Sequence, residues 1–228
     1  MIDVSLVPLL HLCDSLFPTG SYAHSEGLEA AVAESRVGNV HDLDAWLDAC
    51  LRESVGACDG LAVAHAMRAF ADGRWNDLQR IDEEAYALRA SASARAAIRS
   101  MGRRLLRTWL LIHPEIARTL PASPGRMEAT LPVAFAVACA SVEVSLRAAV
   151  EAFAYTRLAS TTSCAMRLLP IGQHEAHARL AAALARVPPL ALEIERRARA
   201  GERPGAFAPN LDLAAMSHRY VHSRLFLS

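Results

Sequence analysis

No lysine occurs in this chain; all 24 of its basic residues are arginine. That absence excludes whole classes of chemistry. A P-loop nucleotide hydrolase sets the lysine of GxxxxGK[ST] on the phosphates, and a protein kinase needs its strand lysine. Pyridoxal-phosphate enzymes and Schiff-base aldolases need an amine nucleophile. A charge excess is missing too: 24 acidic residues balance the arginines, so no global field favours nucleic acid or an anionic membrane. The five cysteines (Cys13, Cys50, Cys58, Cys139 and Cys164) are odd in number and scattered, without a CxxC pair. They read as reduced core thiols, and a cytoplasmic location is expected. The longest apolar run, Leu131 to Val142, spans about 12 residues, too short to cross a bilayer, and predicts a buried helix. The opening MIDVSLVPLLHLCDS carries a proline and an acid but no basic n-region, so no signal peptide is expected.

What the chain does have is apolar, helix-favouring sequence. Hydrophobic residues make up 53% and aromatics only 6%, with mean hydropathy +0.17, which is too apolar for disorder. Much of the excess is alanine, which suits close-packed helices. Leu43, Trp46, Leu47, Cys50 and Leu51 fall at helical spacing behind a cap at Asn39 or His41-Asp42. Similar stripes predict helices over 61–71, 75–90, 93–111, 133–142, 145–168 and 174–185. Asp72-Gly73, His113-Pro114 and Pro188-Pro189 mark breaks, and Leu120 to Arg126 reads as a long surface connection. No alternating strand pattern or repeat survives. The expectation is an all-α, single-domain multi-helix bundle of roughly eight to ten helices. Residues 1–200 would form the body, and 201–228 a flexible linker (GERPGAFAPN) and tail.

The densest polar window is Asp14 to Glu29, DSLFPTGSYAHSEGLE. Gly20-Ser21-Tyr22-Ala23-His24 resembles a serine beside a base, but the GxSxG elbow and its preceding strand are both missing. The structural reading has Leu16-Phe17-Pro18 ending one helix, Thr19-Gly20 turning, and Ser21 or Ser25 capping a helix that runs to Glu34. Gly27 would then sit inside that helix at a cost of about 1 kcal/mol, which implies that a neighbouring helix or a partner approaches its backbone. His174 and His177 lie at i and i+3, and His218 and His222 at i and i+4, the better metal-ligand spacing if the tail is helical. The ordinary reading of each pair is exposed polar residues. Arg103-Arg104 and Arg196-Arg197 read as solvated helix faces. A rival reading is a small-molecule enzyme with Cys164, beside Thr162 and Ser163, in a pocket and Glu143 or Glu151 as its acid.

Four stretches together carry a resemblance: LLHLCDSLFPTGSYAHSEGLEAAV at the start, Ser100 to Leu106 with Leu131 to Phe135, Ala165 to Gln173, and the closing SHRYVHSRLFLS. In their order, and over essentially the whole chain, they resemble the urease accessory protein UreF family. The resemblance implies an all-α, usually dimeric, non-catalytic assembly factor. It would bridge the accessory protein UreH (also called UreD) and the GTPase UreG, and so regulate nickel delivery to apo-urease. No tightly bound cofactor is implied; nickel would be in transit, with His24, His218 and His222 as its weak candidate contacts. The implied partner-binding residues are Pro18, Thr19, Gly20, Ser21, Tyr22, His24, Ser25, Glu26 and Gly27, then Arg167, Gly172 and Gln173, then Arg224, Leu225 and Phe226. The tail would be mobile alone and ordered by its partner. The chain departs from the family's usual residues at Leu131, Ala136, His174, His177, Arg219, His222 and Leu227.

Overall fold

A computed structural model of the chain describes residues 6–117, 128–205 and 207–227. The proline- and glycine-rich connection at 120–126 lies outside them. In order, the helices are α1 (Leu6–Cys13), α2 (Leu28–Ala33), α3 (Val40–Ala49), a π-helical stretch (Cys50–Asp59), α4 (Gly60–Ala71), α5 (Trp75–Ala87) and α6 (Ala92–Ile112). Then follow α7 (Pro114–Ala117), α8 (Leu131–Ser141), α9 (Leu146–Leu168), α10 (Gln173–Leu184), α11 (Val187–Arg199) and α12 (Pro209–Ser217). No strand occurs among the described residues, so the all-α expectation holds.

Several boundaries follow from local chemistry. Asn39 Oδ1 accepts the His41 and Asp42 N–H groups at 2.9 and 3.2 Å and opens α3. Ser91 Oγ accepts the Ala94 N–H at 3.0 Å for α6, and Ser145 Oγ the Ala148 N–H at 3.2 Å for α9. The Pro188-Pro189 break is the first turn of α11, where a missing N–H leaves no helical bond unmade. One boundary dissolves: the segments predicted over 40–51 and 61–71 run together through the π-helical stretch. π-helices are usually single-turn bulges, and a 10-residue one widens the backbone over an extended length.

Helix α8 forms the centre. Every residue from Leu131 to Cys139 is buried, as a segment apolar all round its axis requires. It packs between α4 and α6, with α5 and α9 closing the sides. Two features set its position. A Cβ on Gly102 of α6 would collide with the Ala129 carbonyl oxygen and come 2.5 Å from the Thr130 carbonyl carbon, so the two backbones touch because glycine stands there. Asp82 of α5, fully buried, accepts the Ala129 and Thr130 N–H groups at 2.8 Å each and the Thr130 hydroxyl at 2.7 Å. A carboxylate at the head of a helix supplies both acceptors and the favoured charge.

The segment read as a linker and tail packs back onto the body. Gly205 donates its N–H to the Ala57 carbonyl at 2.9 Å, and His65 bonds the Glu202 carbonyl at 2.7 Å. Helix α12 lies on α2 with Leu211 and Ala214 buried.

Candidate functional site

Residues 14–27 form an irregular platform between α1 and α2. Asp14 Oδ1 accepts the Leu16 N–H at 2.7 Å, and Phe17 is buried with its ring 6.3 Å from that of Trp109. Thr19 Oγ1 donates to Ser21 Oγ at 3.2 Å and accepts the Ser21 N–H at 3.3 Å, which shapes the short 3-10 turn Ser21–Ala23. Three arginines lie beneath the platform. Gly20 rests against the Arg104 guanidinium, Arg157 pairs with Glu26, and Arg167 donates to the Tyr22 carbonyl at 2.6 Å. His24 is buried among them: desolvation first, then the charges of Arg104, Arg157 and His218, hold its imidazole below the usual histidine range.

The tail is latched to this platform through one buried carboxylate. Glu29, on α2, takes the His218 imidazole Nε2 on Oε2 at 2.7 Å. Its Oε1 accepts the Leu225 N–H at 2.5 Å, and Oε2 also accepts the Phe226 N–H at 3.3 Å. A carboxylate only accepts, so Nε2 is the donor. The side chains of His218 and Glu29 are 2% and 4% exposed, so both groups lie in a low-dielectric setting where loss of either partner is expensive. Leu227 then donates its N–H to the Ala23 carbonyl at 2.8 Å. Phe226 is buried under the Arg167 guanidinium, 4.1 Å from ring centroid to carbon, a cation–π contact. Arg167 therefore clamps the loop through Tyr22 and the tail through Phe226 at once.

The structure sorts the sequence candidates. Pro18 to Gly27 form the platform, and Arg167 and Phe226 fasten it. Arg224 and Leu225 lie exposed along the tail. Gly172 and Gln173 stand apart, at the exposed start of α10, whose packing partners are α3, α9 and α11. Gly27 is not inside a helix but at its N-cap, with φ 91°; an added Cβ would come 2.7 Å from the Ala215 backbone nitrogen. The close approach expected there is real, and the approaching helix is α12 of the same chain. His218 and His222 do not share a helical face, because the chain leaves helix after Tyr220, and His218 is taken by Glu29. His174 and His177 are exposed on α10. Among the described residues no group of three histidine, cysteine or acidic side chains could hold a metal ion. Leu131 and Ala136 are core residues of α8.

The Cys164 constellation does not assemble. Its thiol is buried, donates to the His24 carbonyl at 3.5 Å, and is pushed up by desolvation, the reverse of an activated nucleophile. Glu143 is exposed in the turn before α9, whose first residue, Leu146, is roughly 27 Å along the axis from Cys164; Glu151 is roughly 20 Å along it. Glu151 is engaged with Arg147 at 3.0 Å.

Two features had no sequence signal. Glu29 reads as one acid among many in a helix, because its partners are 189 to 197 residues away. The π-helical stretch likewise lines a small, partly open pocket of about 100 Å³, with the Glu26–Arg157 and Asp59–Arg89 pairs at its wall.

The distinctive feature of this all-α body is a loop and tail locked together by Arg167 and Glu29. Comparison with known proteins gives its family. The UreF family profile matches residues 37–185. A urease accessory protein UreF of Methylibium petroleiphilum is 32% identical over 229 residues, covering 98% of this chain and 94% of its own. UreF proteins of Polaromonas sp. and Arthrobacter sp. are each 31% identical, covering 98% and 96% of this chain and 95% and 96% of theirs. The chain belongs to the UreF family and has a role in urease maturation. No helix among the described residues is long and apolar enough to cross a membrane.

Proposed function

We propose that this chain is a non-catalytic factor that joins the accessory protein UreH/UreD to the GTPase UreG, coupling GTP-dependent nickel delivery to assembly on apo-urease. It acts in the cytoplasm as a homodimer and regulates its partner's GTP hydrolysis. Without lysine the chain has no P-loop of its own, so the nucleotide chemistry falls to that partner.

The observation that carries this reading is the surface around the latch. Phe226 and His218 are turned inward, while Tyr22, Tyr220, Leu225 and Leu227 are 70, 73, 68 and 68% exposed and Arg224 is exposed beside Leu225 in the tail. Exposed aromatic and aliphatic side chains on the same loop and tail as an exposed arginine are the residue types enriched at interface centres. The arginine's planar fork suits a carboxylate or paired carbonyls. The platform residues Pro18 to Gly27 hold this surface in shape and add the Tyr22 ring. Nickel is cargo in this reading: His24 and His218 serve the fold, and His222 is the histidine left to meet the ion.

Co-expression with UreH/UreD and UreG of the same organism, followed by pull-down and size-exclusion with light scattering, tests the assignment. The wild type is expected in a stable complex with both. Arg224→Ala and Leu225→Asp should lose UreH/UreD while keeping wild-type circular dichroism. Full assembly by both variants would overturn the reading.

A further inference from the structure

We propose that α6 carries a second docking face, separate from the latched tail, which takes an acidic amphipathic helix of a partner protein. Its inward residues, Met101, Leu105 and Trp109, are in the core. The outward side presents Arg103, Leu106, Arg107, Leu110 and Leu111, spaced i, i+3, i+4, i+7 and i+8, as one shallow groove closed at the side by Ala129. Leu111 is 72% exposed and Ile112 beside it 44%, while Leu106 and Leu110 are half-buried.

The positive charge on this face is only partly matched among the described residues. Glu128 is engaged by Arg99 at 2.7 Å, and Arg99 also lies over the Tyr86 ring, 5.2 Å from its centroid. Arg103 reaches the same Glu128 oxygen only at 3.7 Å. One carboxylate thus serves two guanidiniums, and Arg107 has no acidic partner among the described residues. Arg103 and Arg107 stand one turn apart, about 6 Å along the axis, which is the spacing of two acids at i and i+4 on a facing helix. The exposed leucines beyond them call for an apolar row on that same helix, and so favour a peptide over a small anion. Complementary charge supplies orientation, and buried leucine surface supplies affinity.

The test uses the full-length protein and a fluorescein-labelled synthetic peptide of about 16 residues with helix-favouring sequence, which docking can complete as a helix. It carries a leucine row flanked by glutamates one turn apart; a matched peptide has glutamines instead. Fluorescence anisotropy should show saturable binding of the glutamate peptide that weakens as salt is raised. Affinity should fall about 10-fold for the glutamine peptide and for the Arg103→Ser/Arg107→Ser variant, and similarly for Leu111→Ser. These are surface positions, and an unchanged circular dichroism spectrum accompanies each titration. Equal affinity for both peptides and every variant, or no saturable binding, overturns the proposal. Sensitivity to the arginines with indifference to Leu111→Ser overturns it in favour of a simple anion site. Binding that appears only after residues 118–127 are replaced by a Gly-Ser linker overturns it by making the chain's own segment the occupant.

Discussion

Replacing Glu29 by alanine should release the tail while leaving the helical body folded. The wild-type carboxylate accepts from His218 Nε2, Leu225 N and Phe226 N at 2.7, 2.5 and 3.3 Å. A hydrogen bond onto a charged acceptor contributes about 1.5–3 kcal/mol, and breaking a buried pair costs about 3–5 kcal/mol. The long Phe226 contact adds little, and a released tail regains water for its N–H groups, so about 3 kcal/mol is the expected loss. Native-state hydrogen exchange reads this directly. At 1.36 kcal/mol per decade, protection of the Leu225 and Phe226 amides should fall roughly 150-fold in Glu29→Ala, with the helical circular dichroism of the body unchanged. Glu29→Gln separates charge from shape. Its single oxygen still serves Leu225, and neutral His218 can accept from the new amide by exchanging tautomers, so only the Phe226 bond is lost. About 1 kcal/mol is then expected. The reasoning is refuted if the wild-type amides exchange as in a free peptide, or if Glu29→Ala leaves their protection in place.

The remaining expectations concern stability. Gly27→Ala forces a left-handed residue and drives a methyl onto the Ala215 backbone, so urea denaturation should report a loss of about 2–4 kcal/mol; a change under about 1 kcal/mol would contradict the seating of α12 on α2. Asp82→Ala orphans the Ala129 and Thr130 N–H groups and the Thr130 hydroxyl, a loss of about 3 kcal/mol, seen as a fall in Tm of about 6–12 °C. A melting curve superimposable on wild type would show that α8 does not depend on that carboxylate. His24 has its folded pKa below the unfolded value, so the unfolded chain binds the extra proton. Its contribution is therefore complete above the unfolded value of about 6.5 and is lost as pH falls below it, levelling off under the folded value. Unfolding free energies compared between pH 7.5 and 5 should drop in wild type and drop less in His24→Asn; parallel pH profiles would remove His24 from the account.

Much of the fold was legible locally. The cap at Asn39 bonds N–H groups two and three residues on and was readable from the sequence, and the apolar run of α8 announces its burial without reference to anything else. The missing lysine was equally plain, and it settled which chemistries the chain has no amine to perform. The platform could be located but not explained. Gly27 was marked as a backbone contact, while its capping role and the helix that fills the space depended on α12. Nothing in the 40–71 segment signals that ten of its residues adopt π-helical bonding.

What the sequence alone determined, then, is what acts within a turn or two of chain: helix periodicity, caps, proline breaks and the chemistry ruled out by composition. Only the tertiary structure decided that His218 faces Glu29 across 189 residues, that Arg167 holds both Tyr22 and Phe226, and that Arg103 shares Glu128 with Arg99 while Arg107 has no acidic partner among the described residues. Such pairings are chosen by how helices pack, and an ionisable side chain has the same letter whether it is buried against its partner or exposed to water.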